Sequence, residues 1–460
     1  MISRRDFLSS SAGVFVAAQR GVKAPAPVRR RQILIKGGTV LSLDPGVGDF
    51  DTADVLLDGT KIAAVGPDLT AQASRDARIF DARHCIVMPG FIDTHRHLWE
   101  GPLRNILPDG LLGDYTRDIT GKARAIYRPE DAHIGDLVSA LGAINAGVTT
   151  VLDWSHIGNS PEHTDAAIAG LRDSGIRAVY AYGGGAPGPA NRFPQDIRRL
   201  RTQYFSSRDQ LLTLAMATSP NLSDWTIARD VSAPITMHVN GAGALLPVAA
   251  AMRSDCTYIH CNNLTDDEWK LIASTGGHVS IAGAIEMEMG HGVPAFQQAL
   301  DHGIRPSLSV DVETQMPGEL FTQMRTAMTL QRMQVLARER AGEKNLPKLL
   351  TVKDVVEFAT IQGAKANALD SVTGTLTPSK DADIIMLRAD RINVLPFNNA
   401  YAAVVQAMDT SNVDTVFIRG ALKKARGQLV GVDLARVARM AEASRDYLIS
   451  TLGWPNTRVR

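Results

Sequence analysis

The sequence predicts an α/β chain folded around a parallel β-barrel, and three observations predict it. Short apolar runs recur along the middle of the chain: Pro89-Gly-Phe-Ile-Asp-Thr-His-Arg-His97, Pro234-Ile-Thr-Met-His-Val-Asn240, Thr257-Tyr-Ile-His-Cys261 and Gly303-Ile-Arg-Pro-Ser-Leu-Ser-Val-Asp311. Helical patterns separate these runs, and strands alternating with helices imply a parallel sheet. Each run also delivers an imidazole or a carboxylate where it ends, and in barrels of this kind the reactive groups gather at the carboxyl ends of the strands.

Taken from the N-terminus, residues 1–26 stand apart from the fold. Met1-Ile-Ser-Arg-Arg-Asp-Phe-Leu8 precedes a small-residue apolar run too short to span a bilayer. Twin arginines before Phe-Leu resemble a twin-arginine export signal, which would place the protein in the periplasm; a basic tail on a cytoplasmic protein is the alternative. Residues 31–88 then read as short strands punctuated by Gly and Asp turns: Gln32-Ile-Leu-Ile-Lys, Ala53-Asp-Val-Leu-Leu and Arg83-His-Cys-Ile-Val-Met. The barrel takes residues 89–370. A second strand block follows within 371–430, in Asp383-Ile-Ile-Met-Leu and Val413-Asp-Thr-Val-Phe-Ile. A helix and tail complete residues 431–460.

Strand alternation places His95 and His97 on one face, since residues two apart project the same way. His238, His260 and Asp311 end later strands, and after His260 the run Thr265-Asp-Asp-Glu268 has the pattern of a capping box opening a helix. Convergence of all five at one barrel mouth is the economical reading. An imidazole pair suits zinc, iron, nickel or copper and does not choose among them. His156, three residues after Asp153, is placed to line the same mouth, whereas His133, His163, His278 and His302 fall in helix or loop patterns and read as solvated or structural.

The chain resembles the amidohydrolase superfamily, in the branch of cytosine and guanine deaminases and triazine hydrolases. The resemblance rests on the Pro89–His97 motif together with Gly147-Val-Thr-Thr-Val-Leu-Asp153, Ile259-His-Cys-Asn-Asn-Leu-Thr-Asp-Asp-Glu268, Ala359-Thr-Ile-Gln-Gly-Ala-Lys365 and Gly374-Thr-Leu-Thr-Pro-Ser-Lys-Asp-Ala-Asp383. It implies a distorted (β/α)8 TIM barrel beside a small β-sandwich built from the N- and C-terminal blocks. It also implies one divalent ion, zinc with iron or manganese as alternatives, on His95, His97, His238 and Asp311. His260 and Asp311 would orient and deprotonate a water. Binuclear members use a lysine on the fourth strand; Leu211-Leu-Thr-Leu-Ala-Met-Ala217 has none, which favours a single ion.

Two departures from the family pattern fall at positions expected to face the substrate. Ring deaminases carry a glutamate three residues after the third histidine, where this chain reads His238-Val-Asn-Gly241. Gly283-Ala-Ile-Glu286 stands where relatives show P-x-S-N. The substrate-contacting candidates are therefore Trp99, Glu100, His156, Asn240 and Glu286, with Glu100 also a candidate proton donor. The competing reading of Glu100 is an outward pair with Arg104, four residues on. Substrate choice falls to loops near 100–117, 156–163, 183–193 and 312–318.

Composition narrows the function classes. With 49 basic and 48 acidic residues, a net charge of +1 gives no reason to expect nucleic acid or an anionic membrane surface as partner. No apolar run reaches the ~20 residues of a membrane span. Cys85, Cys256 and Cys261 form no C-x-x-C pair and no disulfide framework. The reading is a metal-dependent hydrolase acting on the C–N bond of a small molecule, of amide, lactam or ureido type. Deamination or dechlorination of an aromatic N-heterocycle is the alternative within enzymes, and an inactive binding protein the alternative outside them. A homo-oligomer stays open.

Overall fold

The computed structural model describes residues 31–456; the export segment expected at 1–26 lies outside them. Eight strands form the barrel: β1 (Phe91–Arg96), β2 (Val148–Gly158), β3 (Arg177–Gly184), β4 (Leu212–Thr218), β5 (Ile235–Asn240), β6 (Cys256–Asn262), β7 (His278–Ile281) and β8 (Ser307–Leu308). Each pairs parallel with the next in sequence order. All eleven residues of β2 are buried, because one face meets the barrel interior and the other the surrounding helices. Inside, the small Ala181, Ala215 and Ala217 make room for the indole of Trp154, beside Leu152, Val179 and Ile259.

Asp311 closes the circle. Its N–H donates to the His95 carbonyl at 2.9 Å, and its own carbonyl accepts from the His97 N–H at 2.8 Å. The seam between the last strand and the first thus runs through three of the expected ion-binding residues.

The terminal blocks meet by direct strand pairing. Cys85–Pro89 lies antiparallel to Ile384–Arg388, within one mixed sheet of nine strands. Its own core holds Ile35, Val55, Val87, Ile384, Met386 and Phe417. Only Gly90 separates this sheet from β1, and a Cβ there would fall 2.1 Å from Thr149. Buried Arg177 of β3 ties sheet to barrel, reaching Asp383 and Asp381 at 2.7 Å each. Those aspartates end the Gly374–Asp383 motif; removing either would strand a buried charge.

The helix after β6 starts as the sequence implies. Thr265 Oγ1 accepts from the Glu268 N–H at 3.3 Å, and Glu268 accepts from the Thr265 N–H at 2.9 Å. Glu268 also accepts from the N–H groups of Gly243 and Leu245, at 3.0 and 2.9 Å, fixing the loop that follows Asn240. On the other flank, helix Pro129–Asn145 packs against the 3₁₀ turn Leu98–Leu103, so closely that a Cβ on Gly135 would lie 2.2 Å from the Trp99 carbonyl. No helix of the described residues is long and apolar enough to cross a membrane.

Candidate metal centre

Four imidazoles converge on one carboxylate. Asp311 Oδ1 lies 2.8 Å from His95 Nε2 and 3.3 Å from His97 Nε2, and its Oδ2 lies 3.9 Å from His260 Nε2. His238 Nε2 is 3.2 Å from His95 Nε2. Donor atoms of His95, His238, His260 and Asp311 all fall within 4.8 Å of one another. His97 joins them through its contact with the same carboxylate oxygen, Asp311 Oδ1.

The tautomers fit a metal. His97 Nδ1 faces the Trp154 carbonyl at 2.8 Å, and a carbonyl only accepts, so the proton sits on Nδ1 and Nε2 keeps its lone pair. His260 Nδ1 faces Glu286 Oε1 at 3.0 Å, with the same consequence. Burial pushes His95 down to about 3 and His238 well below the ordinary value, which keeps both neutral. Burial also pulls His97 and His260 down, but Asp311 and, for His260, Glu286 outweigh it and raise both. Burial raises the Asp311 carboxyl, yet His95, His97 and His260 together hold it well below the usual range. Imidazoles held neutral at His95 and His238, and turned with Nε2 inward at His97 and His260, around an ionised carboxylate are the donor set of a divalent transition metal.

The backbone at this point is strained. His260 and Asp311 have φ of 69° and 71°, the left-handed region that favours glycine. Such residues cost about 1–3 kcal/mol each and persist where the surroundings over-determine them. Here the barrel seam holds Asp311, while the Glu286 hydrogen bond holds the His260 ring.

A cavity of about 290 Å³ opens above this floor, lined by His97, His156, His238, Asn240, His260 and Asp311 from strand ends. His156 stacks on His97 with ring centres 4.1 Å apart. Its Nδ1 accepts from the Trp99 indole N–H at 2.8 Å, so a neutral ring carries its proton on Nε2. Burial pushes its pKa well below the ordinary value, keeping it neutral.

Three sequence candidates do not reach the cavity. Trp99 is fully buried behind His156, occupied by that hydrogen bond. Glu286 is buried and turned toward β6: besides His260 it accepts from the Ala282 N–H at 2.9 Å and from Asn262 Nδ2 at 3.2 Å. It positions His260 instead of facing substrate. Glu100 is also fully buried; it accepts from the Tyr115 hydroxyl at 2.5 Å, and burial pushes its carboxyl up to about 8. The outward pair with Arg104 does not form either, since Arg104 Nε donates to Glu313 at 2.9 Å. For Trp99 and Glu100 the reason is shared: the turn Leu98–Leu103 packs under helix Pro129–Asn145, which carries its side chains away from solvent and cavity alike. Elsewhere, His133 pairs with Asp173 and His302 with Asp266, each at 2.8 Å, in structural roles.

The roof of the cavity was not legible. Residues 112–126 form one helix whose middle, Thr116–Ala123, is π-helical, a variation frequent at functional sites. Leu112, Tyr115, Thr116, Thr120 and Arg124 on its inner face line the cavity, as do Met289 and His291 opposite. Spacings of three and four residues from Leu112 to Arg124 were the available signal. His291 stands edge-on to His260, ring centres 4.8 Å apart, with neither ring nitrogen hydrogen-bonded.

The amidohydrolase family model matches residues 86–423. The 5-methylthioadenosine/S-adenosylhomocysteine deaminase 1 of Syntrophus aciditrophicus is 26% identical over 90% of this chain and 98% of its own length. The 5'-deoxyadenosine deaminase of Methanosarcina barkeri is 23% identical, covering 91% and 98%. Among solved structures, a zinc-bound adenosine deaminase from Xanthomonas campestris superposes with a TM-score of 0.77 at 19% identity, over 91% of this chain and 99% of its own. Zinc-bound atrazine chlorohydrolase from Arthrobacter aurescens TC1 gives 0.76 at 23%, over 90% and 100%. These likenesses show a shared fold.

Proposed function

The chain belongs to the amidohydrolase family, and on that premise we propose that it hydrolyses an amide, lactam or ureido C–N bond of a small molecule with a single divalent ion. His95, His97, His238 and Asp311 would hold that ion, zinc in the first place, as in the solved relatives, with iron or manganese as alternatives. The observation that carries the reading is the convergence of four imidazoles on Asp311, together with Gly241, three residues after His238, which has no side chain to protonate a ring nitrogen. A divalent ion there supplies Lewis acidity and lowers the pKa of a water from ~15.7 toward ~7.

The chain's own groups account for the remaining chemistry. His260, its Nδ1 fixed by Glu286, turns Nε2 toward Asp311 and orients the attacking water. Asp311 takes the proton as the water oxygen bonds to the carbonyl carbon, then returns it to the nitrogen as the C–N bond breaks. His156, protonated on Nε2, offers a donor to a substrate oxygen; Asn240 adds a polar group at the rim.

Deamination or dechlorination of an aromatic N-heterocycle is the second reading. The names of the relatives favour it, and His291 beside His260 could serve as the displaced acid.

The experiment is a screen of amides, lactams, hydantoins and aminated heterocycles that reads released ammonia and ring absorbance separately, with metal content measured on the same preparation. Turnover should vanish with a chelator and return with added divalent ion. Full activity without metal removes the mechanism. A protein that binds no ion and gains no thermal stability from zinc, iron or manganese is a binding protein instead.

A further inference from the structure

We propose that Arg124 is an anion anchor, and that the molecule taken by this site bears a carboxylate or comparable oxyanion in addition to its scissile C–N bond. The proposal deepens the hydrolase reading and rests on it for the identity of the scissile bond; the anchor itself rests on the roof helix.

That helix carries three cations that behave differently. Arg117 pairs with Asp114 at 2.9 Å and Asp118 at 2.5 Å, and Lys122 pairs with Asp118 at 2.9 Å, all on the outer face. Arg124 lies on the inner face, four residues after Thr120 and eight after Thr116, and lines the cavity. No carboxylate pairs with it among the described residues, and its Nε is buried without a hydrogen-bond partner. A guanidinium stays charged and presents five N–H donors in a planar fork. Arg124 as a whole is half-buried, but leaving its Nε donor buried and unsatisfied is costly, so a site that keeps it gains when a ligand supplies the acceptor.

The neighbours cannot supply it. The Tyr115 hydroxyl is committed to Glu100, and Glu100 lies behind Tyr115, outside the cavity. The Thr120 hydroxyl donates to the Thr116 carbonyl at 3.0 Å. Asp311 is the one carboxylate lining the cavity, and His95 and His97 engage it. A guanidinium and a divalent ion against one carboxylate leave the cavity positive, which attracts an anion. The fork geometry suits the two oxygens of a carboxylate or phosphate side by side. About 290 Å³ accommodates one ring or a short chain carrying that group, which fixes the class as small acidic amides, lactams or ureides.

Calorimetric titration of the metal-loaded protein tests this. The probes are hydantoin-5-acetate, its methyl ester and inorganic phosphate, each measured on wild type, Arg124→Gln and Arg124→Lys, with the melting temperature of each unliganded protein as the folding check. Wild type should bind the acid roughly 10- to 100-fold more tightly than the ester, the contribution of a charged hydrogen-bonded contact. Arg124→Gln should bring the acid down to the level of the ester, and Arg124→Lys should retain part of the preference. Phosphate binding as tightly as the acid, and as dependent on Arg124, would assign the oxyanion to the phosphate class. Equal binding of acid and ester, no binding of any probe, or a preference that survives Arg124→Gln because the ion alone holds the acid, each overturns the proposal. The two readings fail separately. Hydrolysis of neutral amides as fast as their acidic counterparts removes the anchor and leaves the hydrolase, whereas Arg124-dependent binding with no turnover across the screen removes the hydrolase and leaves the anchor.

Discussion

At the floor of the cavity every donor comes from a barrel strand end, whereas its roof is a single helix, residues 112–126, with Met289 and His291 opposite. Floor side chains are fixed twice, once by the strand ladder and once by a partner behind them: Trp154 for His97, Glu286 for His260. Roof side chains have few such ties. Beyond Tyr115 and Glu100, the segment is held at its start by the Leu112 N–H donating to the Met289 carbonyl at 3.0 Å and by Gln315 donating to the Gly110 carbonyl at 2.6 Å, and at its end by Asn159 donating to the Arg124 carbonyl at 2.7 Å and the Tyr447 hydroxyl donating to the Ile126 carbonyl at 3.1 Å. The difference teaches where each kind of task can be placed. Left-handed backbone at His260 and Asp311 needs a rigid frame to persist, so reactive groups sit on the barrel. A helix attached at its edges can change its inner face without disturbing that frame, so recognition is assigned there.

The largest effect that tests this division is His95→Ala. It should abolish turnover and bound metal together while circular dichroism and melting remain those of a folded barrel; measurable turnover without metal would put the chemistry elsewhere than the floor. Asp311→Asn keeps the shape but not the base, and kcat should fall by ~10²–10⁴-fold. A near-normal kcat would move the proton shuttle to His156 or His291. Glu286→Gln touches the floor from behind and should cost roughly 10- to 100-fold, on the scale seen when a partner that orients a site histidine is removed. Because the Glu286 carboxylate helps hold His260 above its ordinary value, the limb of the pH profile governed by His260 should move to lower pH; a rate loss without that movement would mean a packing defect.

The smallest effect belongs to Glu100→Gln, beneath the roof. An acid whose folded value is raised contributes stability below its unfolded value and loses it as pH rises through the folded one. For Glu100 that window runs from 4.5 to about 8. The Gln variant, with nothing to ionise, should melt higher than wild type at pH 9 by roughly 1–4 °C and lose the advantage below pH 4.5, with kcat/KM near wild type. A drop in kcat/KM of tenfold or more would mean that Glu100 reaches the substrate, and would erase the boundary drawn between the two regions.

The sequence by itself determined the barrel and which residues meet at its mouth. Both follow from local rules: a period of two places His95 and His97 together, and strand–helix alternation brings His238, His260 and Asp311 to the same rim. The capping of Thr265 by Glu268 was legible for the same reason, since all its atoms lie within one helical turn. Tertiary structure alone decided the rest. Glu286 reads as a substrate contact until the turn after β7 brings it against His260, 26 residues away in sequence. Trp99 and Glu100 read as walls of the site until helix Pro129–Asn145 packs over their turn and buries them. Arg117 and Lys122 each have an acid within one helical turn, which Arg124 lacks, but nothing local places Arg124 over the cavity. What places Arg124 there is the rotation of the helix, with its π-helical middle, as it is laid across the barrel, and the three- and four-residue spacings within the segment do not by themselves say which face turns inward.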